Sequence, residues 1–378
     1  MEQITFREET LAGLTETSTY QGKLTVVHDV LKKRCSGIDR ISLALYDHQT
    51  QSLKTFIASP VAESPLQNYQ VTLAAESALM EIATKGTSRV VHDLRIYADH
   101  DSIHSRAILG HGFASSYTHP IYHNKKLAGF IFFDSLHNRY FRDRVLEQVE
   151  IFVHLLSAMI VNDLAVTRAL IAAMRTSVSM VQKHDFETGT HLERMAHYAR
   201  LIARSLVKQE LKSLDDEQIE QIALFSPLHD VGKIGIPSRI LQKTTRLNRE
   251  ERELMNTHTM LGRQIVDDLI SNFGFEQIPY IDYLRHIAEQ HHEAMDGSGY
   301  PHGLQGQEIA LEARITAVSD IFDALTTQRP YNAPWSNERA FALLQLLSID
   351  KLDKSCVNAL VENPYEVAQI QQLFTDLH

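Results

Sequence analysis

Cysteine is scarce in this sequence. Among 378 residues only Cys35 and Cys356 occur, far apart and without a CxxC motif. This scarcity disfavours a disulfide-stabilised scaffold and a zinc site built from thiolates. Two isolated cysteines are typical of a reducing compartment, so we expect a cytoplasmic protein.

Long hydrophobic runs are also missing. The longest apolar candidate, LAGFIFF at 127–133, is far shorter than the ~18 residues of a membrane-spanning helix and suits a buried strand instead. The first residues, MEQITFREET, lack the basic segment and apolar core of a signal peptide. We therefore expect neither a secretion signal nor a membrane partner.

Acidic residues outnumber basic residues in this sequence, and most of the excess lies in the second half of the chain. The formal net charge is −10; residues 1–165 hold 16 Lys and Arg against 18 Asp and Glu, whereas residues 166–378 hold 21 against 29. Binding of a nucleic acid polymer relies on clustered cations, so this composition disfavours such a partner. If the second half acts on a phosphate compound, bound metal cations must supply much of the positive charge.

The first 141 residues mix strand and helix patterns. Alternating apolar residues predict two hairpins, with strands at 40–47, 52–59, 115–122 and 126–135. Between the hairpins, SALMEIATKG (77–86) predicts a helix that ends at Gly86. We therefore predict an α+β domain over residues 1–141.

Residues 142–184 predict one long helix, because they contain neither Gly nor Pro. Thr167 is the only polar residue in a seam whose apolar members recur mostly at steps of three and four: Val145, Val149, Phe152, Leu156, Ile160, Leu164, Ile171, Met174, Val178 and Val181. Such a helix packs either on its own domains or against a second copy. The heptad-like spacing favours a parallel homodimer, with the helix joining two domains.

Residues 185–378 are predicted to be all-helical, and their helices carry candidate metal ligands. The candidates are Glu187, His191, His229, Asp230, His258, His291, His292 and Asp320. Mixed imidazole and carboxylate ligands suit Fe, Mn or Zn better than Mg or Ca. Eight ligands exceed the need of one ion, and Asp230 is the natural carboxylate to bridge two. A bridged pair activates water and clamps phosphate oxygens, which indicates phosphodiester cleavage without a protein nucleophile.

Several long motifs in residues 185–378 match a known family. They read ETGTHLERM, LHDVGKIGIPSRIL, MNTHTMLG, HHEAMDGSGYPHGL and LEARITAVSDIFDALTTQRPY. With these motifs the segment closely resembles the HD-GYP phosphodiesterases, a branch of the HD metal-dependent phosphohydrolase superfamily. The resemblance implies a phosphodiesterase that cleaves cyclic di-GMP to pGpG, and in some members to GMP.

The resemblance also implies roles for the candidate ligands. One ion is expected at His191, His229, Asp230 and Asp320. A second ion is expected at Asp230, His258, His291 and His292. Glu187 matches a carboxylate found in members that hold a third ion, so two or three divalent ions, Fe or Mn, are expected.

Substrate contacts are implied by the same motifs. Lys233 resembles the lysine that contacts the scissile phosphate, and we count it with Asp230 as catalytic. Gly299 and Tyr300 resemble a loop that meets a guanine, and Arg329 an arginine that holds the dinucleotide. Asn332 stands where the family usually has lysine, and Ala294 and Met295 also depart from the family pattern. These departures bear on affinity and base preference more than on metal chemistry.

The first 141 residues resemble a GAF domain, a module that senses small ligands, so regulation by an unknown small ligand is expected. Five histidines crowd one part of it, which leaves a haem or metal sensor open beside the simpler interpretation as loop and pocket residues: His100, His104, His111, His119 and His123. Two alternatives to a cyclic di-GMP phosphodiesterase also remain open. One is a hydrolase of another cyclic dinucleotide, such as cyclic GMP-AMP, and the other is a non-catalytic receptor.

Overall fold

The computed structural model describes residues 11–60, 70–98, 103–182, 189–328 and 333–375. The chain divides into two units between Ala165 and Val166, and residues 215–217 are grouped with the first unit. This division falls inside the segment 142–184, so the bounds of the three segments expected from the sequence (1–141, 142–184 and 185–378) stay a prediction.

The first unit contains a six-stranded antiparallel sheet. Its strands are β1 (Arg40–Asp47), β2 (Ser52–Ser59), β3 (Val71–Thr72), β4 (Arg89–Val91), β5 (Ser115–His123) and β6 (Lys126–Ser135). Their order across the sheet is β3-β2-β1-β6-β5-β4. Strands β1 and β2 pair as predicted, as do β5 and β6. The sequence patterns missed only the short strands β3 and β4 among the described residues.

Strand β6 lies at the centre of this sheet and is buried on both faces. Ile131 and Phe133 pack into one hydrophobic core, whereas Phe130 and Phe132 pack into another on the opposite face. Successive side chains of a strand point to opposite faces, so a strand covered on both sides needs a continuous apolar run. The expectation that LAGFIFF forms a buried strand is confirmed.

Fifteen helices lie in the described ranges. They are α1 (Gly13–Glu16), α2 (Tyr20–Arg34), α3 (Ser77–Lys85), α4 (Ile103–Gly110), α5 (Asp143–Gln182), α6 (Gly189–Lys208), α7 (Asp216–Phe225), α8 (Ser238–Leu241), α9 (Arg249–Asn256), α10 (His258–Phe273), α11 (Ile281–Gln290), α12 (Leu311–Thr326), α13 (Asn337–Leu347), α14 (Lys354–Val361) and α15 (Pro364–Leu373). The helix predicted at 77–86 is α3, and the long helix is α5. The predicted fold class is confirmed: an α+β first part, a long helix, and a second part whose described elements are helices joined by turns and loops.

Most apolar seam residues of α5 whose side chains are described are buried inside the chain, which corrects the assignment of this part of the helix as a dimer interface. Leu156 and Ile160 are buried in the core of the first unit. Ile171 and Met174 are buried in a core of the second unit. A regular apolar seam can be covered by a second helix or by the chain's own domains, and spacing alone does not distinguish the two. The homodimer itself stays a prediction, without this seam as its contact.

Helix α5 also meets a test for membrane spans by length and composition alone. The stretch Asp143–Thr176 has a mean hydropathy of 1.7 in its most apolar window, and 28% of that window is buried. A core helix of a soluble protein can pass the same test. Two of its apolar residues, Leu156 and Met174, lie in these cores, whereas Ile151 is 69% exposed. The absence of a membrane partner stays a prediction.

The second unit has two hydrophobic cores. Tyr198, Phe322 and Leu360 lie in one, which is built from α6, α12 and α14 among other elements. Val266 and Leu284 lie in the other, where α10 and α11 pack together. These cores fix α6, α10, α11 and α12 relative to one another. Each of these four helices contains or directly precedes a predicted ligand: His191 in α6, His258 in α10, His291 after α11 and Asp320 in α12.

Replacing Leu156 with alanine tests whether the seam belongs to the core. Leu156 is fully buried, so Leu156→Ala should destabilise the first unit by about 2–5 kcal/mol. The control is Ile151→Ala, because Ile151 is 69% exposed on the same helix and should change stability by less than ~0.5 kcal/mol. Urea denaturation followed by circular dichroism measures both. Equal stability of the two variants would contradict the packing described here.

Candidate metal centre

The predicted ligands of the second unit lie where helices begin or end. His191 is the third residue of α6, and His258 is the first residue of α10. His229 follows a 3-10 turn at Ser226–Leu228, and His291 directly follows α11. Asp320 differs, because it lies within α12. Side chains at helix ends can converge from several directions on one point, as these do.

Gly232 allows the turn that follows His229 and Asp230 to pack tightly against α10. A Cβ atom at position 232 would lie 1.8 Å from the carbonyl oxygen of His258. No larger residue fits at that distance. The close approach brings Asp230 next to the histidine that opens α10.

Seven predicted ligands form two groups in which the potential ligand atoms lie within 4.8 Å of one another. The first group contains His191, His229 and Asp320. The second group contains Asp230, His258, His291 and His292. Both match the sets expected from the family resemblance, except that Asp230 is counted once. Within the described ranges no comparable group was found in the first unit; His100 lies outside these ranges, so a haem or metal sensor there stays a prediction.

Three of the buried rings are held by carbonyl groups of their own local segments. The Nδ1 atom of His229 lies 3.0 Å from the carbonyl oxygen of Ser226. The corresponding distances are 2.8 Å from His258 to Met255 and 2.9 Å from His291 to Ile287. A carbonyl oxygen only accepts, so each Nδ1 must carry the proton. In the neutral ring the Nε2 atom then presents a lone pair, which is the form that binds a metal ion.

These lone pairs face one another in the second group. The Nε2 atoms of His258 and His291 are 3.4 Å apart, and both rings are buried. Burial lowers the pKa of both rings, so they are neutral at neutral pH. Burial likewise lowers the pKa of His292 to about 4. Two facing lone pairs repel unless a cation lies between them, so these residues fit a divalent ion.

Asp230 directs its two carboxylate oxygens to different groups. Oδ1 lies 3.3 Å from His258 Nε2, and Oδ2 lies 3.2 Å from His229 Nε2. Oδ1 is buried and accepts no hydrogen bond from a described residue. Burial alone would raise the pKa of this carboxyl group, but Lys233 and His229 hold the pKa well below its usual range. An ionised carboxylate in this position can bind a metal ion held by the first group and one held by the second.

Lys233 and Asp320 lie at the edges of the two groups. The Nζ atom of Lys233 is 2.8 Å from Asp230 Oδ2, and its side chain is 19% exposed. The Oδ1 atom of Asp320 is 3.7 Å from His229 Nε2, and its side chain is 22% exposed. Both are therefore reachable from solvent, whereas the histidines behind them are buried.

The loop after His292 folds back over the second group. Tyr300 lies with its ring 4.8 Å from that of His292, and its backbone N–H donates to His292 O at 3.2 Å. Gly299 is required for this turn, because a Cβ atom there would lie 2.3 Å from Ala294 N. The loop therefore places Tyr300 beside the predicted ligands, as expected.

Glu293 anchors the far side of this loop. Its two carboxylate oxygens accept the backbone N–H groups of His302 (2.7 Å) and Leu304 (3.0 Å), and the residue is 6% exposed. Lys351 contacts Asp296 at 2.6 Å on the outer side of the same loop. The conformation around Tyr300 is thus held at two places.

Three predicted site residues lie outside the described residues, and their roles stay predictions: Glu187, Arg329 and Asn332. The sequence reasoning missed others. Asp323 accepts a hydrogen bond from His191, and Glu293 holds the loop. Spacing offered a signal for both, because Asp323 follows Asp320 by one helical turn and Glu293 directly follows His292.

Comparison with known proteins agrees with this geometry. The sequence profile of the HD domain family matches residues 175–356. The "Cyclic di-GMP phosphodiesterase response regulator RpfG" of Xanthomonas campestris pv. campestris is 39% identical over 190 residues, which are 50% of this chain and 47% of that protein. The "3'3'-cGAMP-specific phosphodiesterase 2" of Vibrio cholerae is 35% identical over 196 residues, which are 52% of this chain and 35% of that protein. The chain thus spans less than half the length of either relative.

Structural similarity was found for the first unit as well. The alignment with a GAF domain/HD domain protein from Geobacter sulfurreducens covers 39% of this chain and 95% of the Geobacter chain, with 13% sequence identity and a TM-score of 0.31. A TM-score this low carries no argument, and the GAF-like character of the first unit rests on its sequence. For the second unit, residues 175–356 match the HD domain family, which agrees with the resemblance found in the sequence.

Proposed function

We propose that this chain is a metal-dependent phosphodiesterase that hydrolyses cyclic di-GMP to pGpG. The observation that carries the proposal is the position of Asp230, whose two oxygens face two separate groups of metal-ligand side chains. A site for two ions sharing one carboxylate suits in-line displacement at phosphorus. The names of the relatives indicate cyclic dinucleotides as the substrate class.

Each part of the site has a role in this proposal. His191, His229, Asp230 and Asp320 hold one ion, and Asp230, His258, His291 and His292 hold the other. Bound ions would supply an activated water molecule and positive charge at the phosphate oxygens. Lys233 is partly exposed beside Asp230, where its ammonium group can contact a phosphate oxygen of the substrate. Gly299 and Tyr300 place an aromatic ring next to His292, where a guanine can stack.

We propose iron or manganese as the bound metal. The donor set combines five imidazoles with two carboxylates, a mixture that suits transition metals rather than Mg or Ca. The described residues provide for two ions. A third ion requires Glu187, which precedes His191 by four residues.

A mixed cyclic dinucleotide such as cyclic GMP-AMP is the second candidate substrate. Asn332 replaces the usual lysine near the ligand, and one relative is named as specific for 3'3'-cGAMP. A non-catalytic receptor has less support, because seven of the eight predicted ligands are described and all seven converge.

We also propose that the first unit regulates the second by binding a small ligand, in a cytoplasmic homodimer. The first unit contains a cavity between β4–β6 and its flanking helices, where Glu76, Arg89 and Asp134 add polar groups to an otherwise largely apolar lining. Such a lining suits a small molecule with a few polar groups.

Replacing Asp230 with alanine tests the proposed function. Asp230→Ala should lower turnover of cyclic di-GMP by about a hundredfold or more, roughly 3 kcal/mol of transition-state stabilisation, because both ions lose a ligand. Turnover is measured by chromatography on anaerobically purified protein loaded with Mn²⁺ or Fe²⁺, with 3'3'-cGAMP in parallel. Asp267→Ala is the matched control, because Asp267 pairs with Arg263 and Arg285 outside both groups. Near-normal turnover or metal content in Asp230→Ala would reject the shared site.

The proposed role of Glu187 is tested through the second cleavage step, in which pGpG is cleaved to GMP. The linear product pGpG carries extra negative charge, which a third cation would offset. Glu187→Ala should therefore keep cleavage of cyclic di-GMP but accumulate pGpG, and bound metal should fall from three ions per chain towards two. The control is Glu193→Ala, six residues later in the chain, because Glu193 pairs with Arg175. Unchanged stoichiometry together with unchanged products would leave Glu187 without a metal role.

Glu293 is tested through the loop that it holds. Glutamine has one acceptor oxygen, so Glu293→Gln should free one of the two amides, at a cost of about 1.5–3 kcal/mol for a charged acceptor. Hydrogen exchange at the amides of His302 and Leu304 should accelerate about tenfold or more, and KM should rise while metal content stays constant. Glu308→Gln is the control, because Glu308 accepts only from the exposed Gln305 N–H. Unaltered exchange in Glu293→Gln would show that the loop is held by other contacts.

A further inference from the structure

His191 is oriented differently from the other buried histidines of the centre. His229, His258 and His291 donate to carbonyl groups three or four residues earlier in the chain. His191 is the third residue of α6, so no earlier turn of its own helix can accept its proton. Its Nδ1 atom instead lies 2.7 Å from the Oδ2 atom of Asp323, which belongs to α12.

Asp323 is itself held rigidly. Arg194, one turn after His191, places Nε 2.5 Å from Oδ1 and Nη2 3.1 Å from Oδ2. Thr327 donates its hydroxyl to Oδ2 at 3.1 Å. Asp323 is 1% exposed and Arg194 is 4% exposed. This two-pronged contact, shielded from water, fixes the plane of the carboxylate and therefore the direction of the imidazole.

Helix α12 thus contributes twice to the first group. Asp320 and Asp323 are three residues apart, so they lie on neighbouring positions of one helix face. Asp320 faces His229, whereas Asp323 faces the Nδ1 side of His191. A carboxylate on the far nitrogen of a ligand histidine fixes its tautomer and raises its basicity, and loss of such a partner lowers metal affinity.

We propose that Asp323 is a positioning residue that sets the affinity of the first group for its ion and leaves the second group unaffected. The proposal rests on the two-ion site of the proposed function. It does not depend on which substrate is cleaved, because its measure is metal binding.

The experiment is a calorimetric titration of the full-length, metal-depleted protein with Mn²⁺. Metal analysis after dialysis gives the number of ions that each chain retains. Wild-type protein should bind at least two ions per chain. Asp323→Asn should weaken one site by ~10–100-fold, the usual effect of losing such a partner, and leave the other within about twofold. His191→Ala and His292→Ala identify which of the two sites is weakened.

The matched control is Glu312→Gln. Glu312 is also a buried carboxylate of α12, and its Oε1 atom lies 2.6 Å from Nδ1 of His286, a histidine outside both groups. Glu312→Gln should leave both Mn²⁺ sites within about twofold. A loss of Mn²⁺ affinity as large as that of Asp323→Asn would show a general effect of removing buried charge and would overturn the proposal.

Two further variants keep the test decisive. Arg194→Lys retains the positive charge but loses the two-pronged contact, so it should weaken the same site, and it replaces Asp323→Asn if circular dichroism shows the latter to be unfolded. In the His191→Ala background, Asp323→Asn should have no further effect on Mn²⁺ binding, because Asp323 acts on the ion through His191. Equal affinities in all variants, parallel weakening of both sites, or no Mn²⁺ binding by the wild type would each overturn the proposal.

Turnover of cyclic di-GMP is measured on the same samples to separate the two proposals. Selective loss of one Mn²⁺ site in a protein that cleaves no cyclic dinucleotide would reject the proposed function and retain the role of Asp323. Normal Mn²⁺ binding in Asp323→Asn, with cleavage by the wild type, would do the reverse.

Discussion

The hydrogen bonds at the Nδ1 atoms of the buried histidines are the constraint on which the second unit depends. Carbonyl oxygens hold three of these atoms, and a carboxylate holds a fourth. Each bond fixes both the direction of the ring and the nitrogen that carries the proton. The remaining Nε2 lone pairs then point towards shared space, where they repel unless a cation joins them. The interior of this unit is therefore built to surround positive charge.

Asp230 connects the two groups of ligands because it lies between helix ends rather than within a helix. The 3-10 turns on either side of His229 and Asp230 allow neighbouring side chains to face different partners. Gly232 lets this segment approach α10 closely enough for Asp230 Oδ1 to face His258. The same half of the chain is acidic, and bound ions would offset this negative charge where the proposed phosphate substrate approaches.

Helix α5 shows how one apolar pattern can serve two cores. Leu156 packs in the first unit and Met174 in the second, on a single uninterrupted helix. The burial of an apolar seam stabilises the protein in proportion to the area removed from water, whichever surface covers it. The pattern therefore predicts that the seam is buried, and the packing of the chain decides against what.

The sequence by itself determined the strands of both hairpins, the long helix and the identity of seven converging candidate ligands. Strand and helix patterns are local, and metal chemistry restricts which side chains can appear in such motifs, so both can be predicted from neighbouring residues. Only the tertiary structure showed that Asp323 contacts Nδ1 of His191, since these residues are 132 positions apart. Only the structure likewise showed that Glu293 closes the loop and that Leu156 and Met174 of the α5 seam are covered within the chain. Contacts of this kind depend on how whole helices pack, and local spacing carries no information about the distance between helices.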